Sequence, residues 1–323
     1  MKKRMMKKIA ALALSAVMAL SLAACGGGGS EAPAGGGDGA EADASSWEWE
    51  RKVTIVCPWG VGGGADGTLR PLQTVLENEL GVPVEIVNVE GAGGANGVNY
   101  AYKQPADGYT YMLGTQSLIM LDLQKILPMD FKAEFIPVSK LVHSILIVGS
   151  SAKAMEGKFT NFDEFIEYAK AHPQELSCGM LTATGADSVA MKQTLAGGHI
   201  HISISGVDEI KGLIDSGDIV PLISLSEERM SSYPDIECTG EKGIDSYIGT
   251  WRGIFCRTDT PAAAVAAMDE AIKKAWESED YQEFLKNANY LDREGYQTGD
   301  DFQTLIDEEY VTFEEYLKGA GLM

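Results

Sequence analysis

From residue 53 onward the apolar positions switch repeatedly between a period of two and a helical period, and this alternation predicts the order of elements. Val53–Cys57 is a short β-rich run. Leu69, Leu72, Val75, Leu76 and Leu80 follow at helical spacing until Gly81 closes the segment. Residues 84–87 predict the next strand and a helix around 97–103 follows. The turn Pro105-Ala106-Asp107-Gly108 then leads into a strand over 109–113. This βαβαβ order predicts a parallel sheet covered by helices. Further on, residues 136–148 read as extended, and Asn161 with Glu164 forms a capping-box pattern ahead of Phe162, Phe165, Ile166 and Ala169. Ile210, Leu213 and Ile214 mark a helix ended by Gly217. Residues 219–225 then read as a strand and 251–256 as a return to an apolar β-like run. Thr260-Pro261 predicts an N-cap with Pro at the first helical position, opening a helix that carries Val265, Met268 and Ile272. Phe302, Leu305, Ile306, Tyr310, Phe313 and Leu317 keep helical spacing, so helices close the chain.

The first 46 residues carry a different pattern. Lys2, Lys3, Arg4, Lys7 and Lys8 precede the apolar run 9–22, which is the order of an export signal. A membrane-spanning helix needs about 20 apolar residues, more than this run supplies. Leu22-Ala23-Ala24-Cys25 resembles a bacterial lipobox, in which the Cys25 thiol receives a diacylglycerol and becomes the first residue of the mature chain. Residues 25–46 are Gly, Ala, Ser, Glu and Asp with almost no apolar bulk, the composition of a flexible tether. The folded part is expected from residue 47.

A chain of 323 residues has room for about two domains at roughly 150 residues each. With 45% hydrophobic and 23% charged residues it has enough apolar surface to build a core. The 47 acidic residues outnumber the 26 basic ones, a net charge of −21. Removing residues 1–24 takes away five bases and no acid, which carries −21 down to −26. Such a chain repels phosphate backbones, so a nucleic-acid partner is excluded from the reading. Cys57, Cys178, Cys238 and Cys256 show no CxxC spacing, and no Cys/His cluster has the spacing of a zinc site; no metal and no cofactor is expected. The cysteines read as small buried thiols. His172 precedes Pro173 at a helix end, and His199 with His201 reads as straddling a strand, so a histidine-centred catalytic site is not expected.

Two glycine-rich segments each follow a strand and precede a helix: 58–66, Pro-Trp-Gly-Val-Gly-Gly-Gly-Ala-Asp, and 91–97, Gly-Ala-Gly-Gly-Ala-Asn-Gly. Glycine lets the backbone approach a ligand closely, and a helix N-terminus presents unpaired N–H groups at a positive dipole end. Each turn can hold an anion without a cationic side chain. An acidic protein can therefore bind a carboxylate, because local amide dipoles act inside the distance, about 8–10 Å, beyond which salt screens the global field. Residues 60–65 fit GxGxxA, a nucleotide-binding pattern. Pro58 and Trp59, however, separate it from the strand, the second strand ends in Asn88 where a ribose-binding acid belongs, and no GxxxxGK[ST] occurs.

Pro58-Trp59 through Gly62-Gly63-Gly64-Ala65-Asp66 to Arg70, Asn88 with Gly91-Ala92-Gly93-Gly94 and Gly97, and Asp107-Gly108-Tyr109-Thr110 with Leu113-Gly114-Thr115 together resemble the solute-binding component of tripartite tricarboxylate transporters, the Bug/TctC-like extracytoplasmic receptors. The resemblance runs from about residue 51 to the C-terminus and is strongest over 52–115. It implies an α/β, two-lobed periplasmic-binding-protein type 2 fold: lobe one from 47–145, lobe two from 146–250, and 251–323 returning to lobe one with the C-terminal helices. It also implies the site. The turns around Gly62, Gly63, Gly64 and Asp66 and around Gly91, Ala92, Gly93 and Gly94 would grip one ligand carboxylate through backbone amides and bound water. Trp59 would line the cleft, and Thr115, Gln116 and Ser117 would face Thr182, Thr184, Gly185, Ala186, Asp187 and Ser188 of lobe two. For the hydroxyls, ordinary helix capping is the competing role.

Two departures stand out. Where many relatives have a His in the lobe-two turn this chain has Ser188 or Val189, and after Ile204-Ser205 it passes directly to Gly206-Val207-Asp208, so lobe two is expected to lack about one βα unit. The expected function is a lipid-anchored extracytoplasmic receptor. It would capture a small carboxylate of the di- or tricarboxylate type for the membrane subunits of a tripartite tricarboxylate transporter, and it would catalyse nothing. A ligand-sensing protein for a signalling partner makes the same demands on the sequence. An extracytoplasmic α/β hydrolase would need a nucleophile with a base, and the chain has no GxSxG elbow and no histidine near either glycine turn.

Overall fold

The computed structural model describes residues 47–179 and 188–323. Residues 1–46, with the expected export signal, tether and Cys25, and the turn 182–187 lie outside them. The first sheet is built from β1 (Val53–Cys57), β2 (Val84–Asn88) and β3 (Thr110–Gly114), with α1 (Gly64–Leu80) and α2 (Ala95–Tyr102) as the crossovers. The three strands are parallel, in the order β2-β1-β3. After α3 (Gln116–Leu123) and α4 (Phe131–Glu134) comes β4 (Phe135–Ser151), 17 residues long. A purely parallel sheet is not what forms: β8 (Gly249–Arg257) inserts antiparallel between β3 and β4, giving the mixed order β2-β1-β3-β8-β4.

Strand β4 belongs to two sheets. Its residues 135–145 pair with β8, and its residues 146–151 pair antiparallel with two later strands, β6 (Ile202–Gly206) and β7 (Ile219–Ser224). Between β4 and β6 lie α5 (Ala152–Met155), α6 (Phe162–Ala171), the short β5 (Cys178–Gly179), parallel to β6, and α7 (Ser188–Ala196). The helix α8 (Val207–Asp215) joins β6 to β7. Among the described residues the second sheet thus has four strands, β5-β6-β4-β7, and the first has six once the short β9 (Gln297–Thr298) at its β4 side is counted. As its sequence suggests at Ser205-Gly206-Val207, the chain passes directly from β6, which ends at Gly206, into α8, which begins at Val207. After β8 the chain returns to the first sheet through α9 (Ala262–Glu277), α10 (Glu279–Asn287), β9 (Gln297–Thr298, paired with β4) and α11 (Gly299–Gly319).

Each sheet is covered on both faces. Leu69, Leu72 and Leu76 of α1 and Met268 and Ile272 of α9 are fully buried against Ile55, Leu113 and Ile254. Leu118, Ile119, Trp251, Phe255 and Phe302 fill the opposite face. Each such aliphatic side chain contributes roughly 1.5–3 kcal/mol through the apolar surface it removes from water. On the second sheet Ile147, Ile210, Val207 and Leu195 cover one face, and Phe159, Ile202 and Ile223 the other.

Signals that act within one turn of chain hold in the structure. Gly81 takes the left-handed conformation (φ 67°) that ends α1, and the Asn161 side chain accepts from the Glu164 amide (2.9 Å) at the start of α6. The reciprocal half of that box differs: Glu164 accepts from the amide and hydroxyl of Thr160. Three readings are corrected. Pro261, not Thr260, is the N-cap of α9, whose helix starts at Ala262; Thr260 Oγ1 is buried with no hydrogen-bond partner. His199 and His201 both precede β6, and His201 Nδ1 bonds Ser177 (2.8 Å). Cys178 is exposed on the edge strand β5, whereas Cys57, Cys238 and Cys256 are buried free thiols. Among the described residues no helix is long and apolar enough to cross a membrane.

Candidate ligand-binding site

Because β2, β1 and β3 run parallel, their C-terminal ends share one edge, and α1, α2 and α3 all begin there. At α1 the first intrahelical bond runs from the Gly67 amide to the Gly63 carbonyl (2.8 Å). The amides of Gly64, Ala65 and Asp66 therefore have no helical acceptor. The second turn, Gly91 to Gly94, holds φ values of 117°, 50°, 67° and 111°, so three of its four residues need glycine; Ala92 takes the left-handed region without it. The turns pack on each other. A Cβ on Gly97 would stand 2.5 Å from Pro58 Cα, and one on Gly94 would stand 3.3 Å from the Trp59 ring. Glycine at 94 and 97 is what lets α2 approach the first turn this closely.

Asp66 holds that first turn in place. Its Oδ2 accepts from the Gly62 amide (3.0 Å), and its Oδ1 accepts from Arg70 Nε (3.0 Å), Arg70 Nη2 (2.8 Å) and Asn88 Nδ2 (3.0 Å). Asn88 Nδ2 also donates to the Trp59 carbonyl (2.9 Å), tying the end of β2 to the first turn. Burial pushes the Asp66 carboxyl up, but Arg70, the Gly62 amide and Asn88 outweigh it and hold the group below its ordinary value. With 3% of its surface exposed, Asp66 is a support for the turn.

Thr115 caps α3: its Oγ1 accepts from the Ser117 amide (3.3 Å) and lies 2.6 Å from Ser117 Oγ. Gln116 Nε2 donates to the Gly249 carbonyl (3.0 Å) and to Thr250 Oγ1 (3.1 Å), joining α3 to the start of β8, while its buried Oε1 has no partner. The lobe-two residues Thr184, Gly185, Ala186 and Asp187 lie outside the described residues, and Ser188 is the first residue of α7. The structure thus brings Trp59, the two glycine turns, Asp66 and the 115–117 segment to one sheet edge.

Beside Gly64 lies a cluster that sequence reasoning missed. Arg252 of β8, 2% exposed, sits where α8 of the second sheet meets α1 of the first. Its Nη1 is 3.1 Å from Asp208 Oδ2 and donates to Tyr290 Oη (2.5 Å); its Nη2 donates to Glu209 Oε1 (3.3 Å). Asp208 is well served, since Tyr290 Oη donates to Oδ2 (2.7 Å) and Ser144 Oγ donates to Oδ1. A Cβ on Gly64 would collide with both Arg252 Nη2 and Glu209 Oε1. Burial and then the Asp208 charge push the Glu209 carboxyl up, against the pull of Arg252 and Lys192. The signal was in the chain: Arg252 is the one charge inside an otherwise apolar run over 251–256. Asp208 and Glu209, however, read as ordinary first-turn acids. Two small cavities, one lined by Tyr111, Phe135 and Phe255 and the other by Phe131, Pro137 and Tyr310, lie away from this edge.

The model of the tripartite tricarboxylate transporter family receptor (TctC) matches residues 68–193 and 182–321. The chain belongs to this family. Protein BugT of Bordetella pertussis (strain Tohama I) is 25% identical over 255 residues, 71% of this chain and 77% of that one. Two solved structures share the fold. R. palustris Rpa4515 with adipate has a TM-score of 0.75 at 23% identity, covering 84% of this chain and 97% of that one. MatC from Rhodopseudomonas palustris with bound malate has a TM-score of 0.73 at 21% identity, covering 82% and 98%. The α/β binding-protein fold that the resemblance implies is therefore the one this receptor chain adopts, and the family is a class of receptors, not of enzymes.

Proposed function

We propose that this receptor captures a small carboxylate of the di- or tricarboxylate type between its lobes and delivers it to the membrane subunits of a tripartite tricarboxylate transporter. The observation that carries the reading is the pair of glycine turns at one sheet edge, packed together through Gly94 and Gly97, with the amides of Gly64, Ala65 and Asp66 free of helical acceptors. The adipate and malate in the similar structures support the ligand class. Residues 47–145 and 251–323 form lobe one and 146–250 lobe two, with the hinge where β4 passes from the first sheet to the second and where the chain returns to the first sheet at the start of β8. The ligand lies against Trp59, Gly62, Gly63, Gly64, Gly91, Ala92, Gly93 and Gly94, with 115–117 and 184–188 as the remaining walls. The chain is exported, cleaved before Cys25 and held at the outer face of the cell membrane by a lipid on that residue, with 25–46 as its tether.

Isothermal titration of the chain from residue 25 against mono-, di- and tricarboxylates tests the capture. Saturable heat with at least one acid is expected, and silence across the whole panel refutes it. Gly93→Val, which forces a β-branched residue to φ 67°, is expected to abolish that heat. Fractionating cells that express Cys25→Ser tests the anchor: the variant is expected in the soluble extracytoplasmic fraction, and its retention in the membrane refutes lipidation.

A further inference from the structure

The two arginines near the first glycine turn present the same edge very differently. In Arg70 the Nε and Nη2 hydrogens, which lie side by side on the guanidinium, both donate to Asp66 (3.0 and 2.8 Å). In Arg252 the equivalent edge is nearly vacant of partners: Nη2 has only Glu209 at 3.3 Å, and Nε, buried in a side chain 2% exposed, has none. That edge is the one a carboxylate takes bidentately. It lies against Gly64, the first residue of α1, where the unpaired amides of the first turn begin.

We propose that Arg252 and the first turn of α1 form an anion seat of the cleft, and that Glu209 holds this seat as an internal competitor which a ligand carboxylate displaces. The inference rests on the receptor reading above and names a contact for one of the ligand's carboxylates. Asp208 and Glu209 divide the work around Arg252 unequally. Asp208 has Ser144 and Tyr290 as further donors, so it stays on Nη1 as the permanent counter-ion. Among the described residues Glu209 accepts one long hydrogen bond, from Arg252, so it leaves at less loss than Asp208. Once it is gone, Arg252 keeps Asp208 on one side and offers Nε and Nη2 to the incoming carboxylate on the other. Because Glu209 comes from α8 of lobe two and Gly64 from α1 of lobe one, the exchange also couples ligand entry to the contact between the lobes.

Isothermal titration of the chain from residue 25 with succinate, adipate and butyrate tests this, comparing wild type with Glu209→Gln, with the double variant Glu209→Gln/Arg252→Lys, and with Glu315→Gln as an equal charge change on the exposed face of α11. Glu209→Gln preserves shape but removes the competing charge. It is expected to raise affinity for succinate and adipate about tenfold or more, while Glu315→Gln changes it by less than about twofold. The double variant keeps a point charge without the two-pronged edge and is expected to lose that gain. Unchanged or weaker binding by Glu209→Gln, an equal gain in Glu315→Gln, or a gain that survives Arg252→Lys overturns the seat while leaving the receptor reading standing. If wild type and every variant are silent toward all three acids, the receptor reading falls, and the seat falls with it.

Discussion

Asp66–Arg70 and Glu209–Arg252 are the same pair of functional groups placed within reach of the same helix N-terminus, and they do opposite things. The first pair is balanced: one carboxylate meets one guanidinium, the Gly62 amide and Asn88 complete it, and Arg70 remains 43% exposed so that water shares its charge. Such a pair fixes the shape of a turn at little cost. The second is unbalanced and dry, with two carboxylates on one buried arginine and a donor left without an acceptor. Desolvation costs such a cluster more than it costs a half-exposed pair, and that imbalance is what the proposed displacement of Glu209 draws on. The two pairs thus use one chemistry, separated by charge count and by access of water.

The sharpest way to break this comparison is to remove the cation. Arg252→Met leaves Asp208 and Glu209 buried beside each other without a counter-ion and is expected to cost about 3–5 kcal/mol in urea unfolding. Adding Glu209→Gln should return part of that loss. A loss below about 1 kcal/mol would mean that the cluster is hydrated like a surface pair.

A third carboxylate shows what burial does when no arginine arrives. Glu309 of α11 accepts from Trp251 Nε1 (2.6 Å), and burial pushes it up to about 7, with Trp251 and Lys140 pulling only weakly the other way. A group raised in the folded state favours folding fully below its unfolded value and loses that contribution as pH rises through the folded one. Unfolding free energy of wild type relative to Glu309→Gln is therefore expected to fall by roughly 3 kcal/mol between about pH 4.5 and 7 and to level off above. A flat difference across that range would show that Glu309 is ionised and solvated like Arg70's partner face.

Smaller effects test the balanced side. Gly97→Ala drives a methyl into Pro58 Cα and the Val89 carbonyl, both backbone-fixed, so it is expected to cost about 1–3 kcal/mol in thermal melts and to weaken carboxylate binding by separating the two turns. Asp66→Asn keeps one acceptor oxygen, enough for the Gly62 amide, but turns an NH2 toward Arg70 and Asn88 and loses the charge shared with a half-exposed Arg70. It is expected to cost about 1 kcal/mol and to leave binding measurable by titration. Because the Asp66 carboxyl is held low, this small difference is present above about pH 4 and is lost on acidification. Abolished binding in that variant would make Asp66 a ligand contact instead of a support.

Legibility followed the range of the interaction that decides each feature. The core of α1 could be read because Leu69, Leu72 and Leu76 need only helical spacing to share a face. The turns could be read because positive φ at Gly62, Gly91, Gly93 and Gly94 is a requirement of a few consecutive residues. α3 escaped the periodicity argument because Leu118, Ile119, Met120 and Leu121 are apolar in succession and give no stripe. The α9 cap lies one residue beyond Thr260, which is buried, and no local pattern reports burial.

By itself, the sequence determined the opening βαβαβ order, the two glycine turns and the family to which the chain belongs, all of which are encoded in spacing along the backbone. Only the tertiary structure decided which charges meet. Arg252 lies 43 residues beyond Glu209 and 188 beyond Gly64, and it reaches both because β8 inserts antiparallel between β3 and β4 and carries it under the start of α1. Electrostatic partnership depends on distance through space and on exclusion of water, and neither is a property of any stretch of chain.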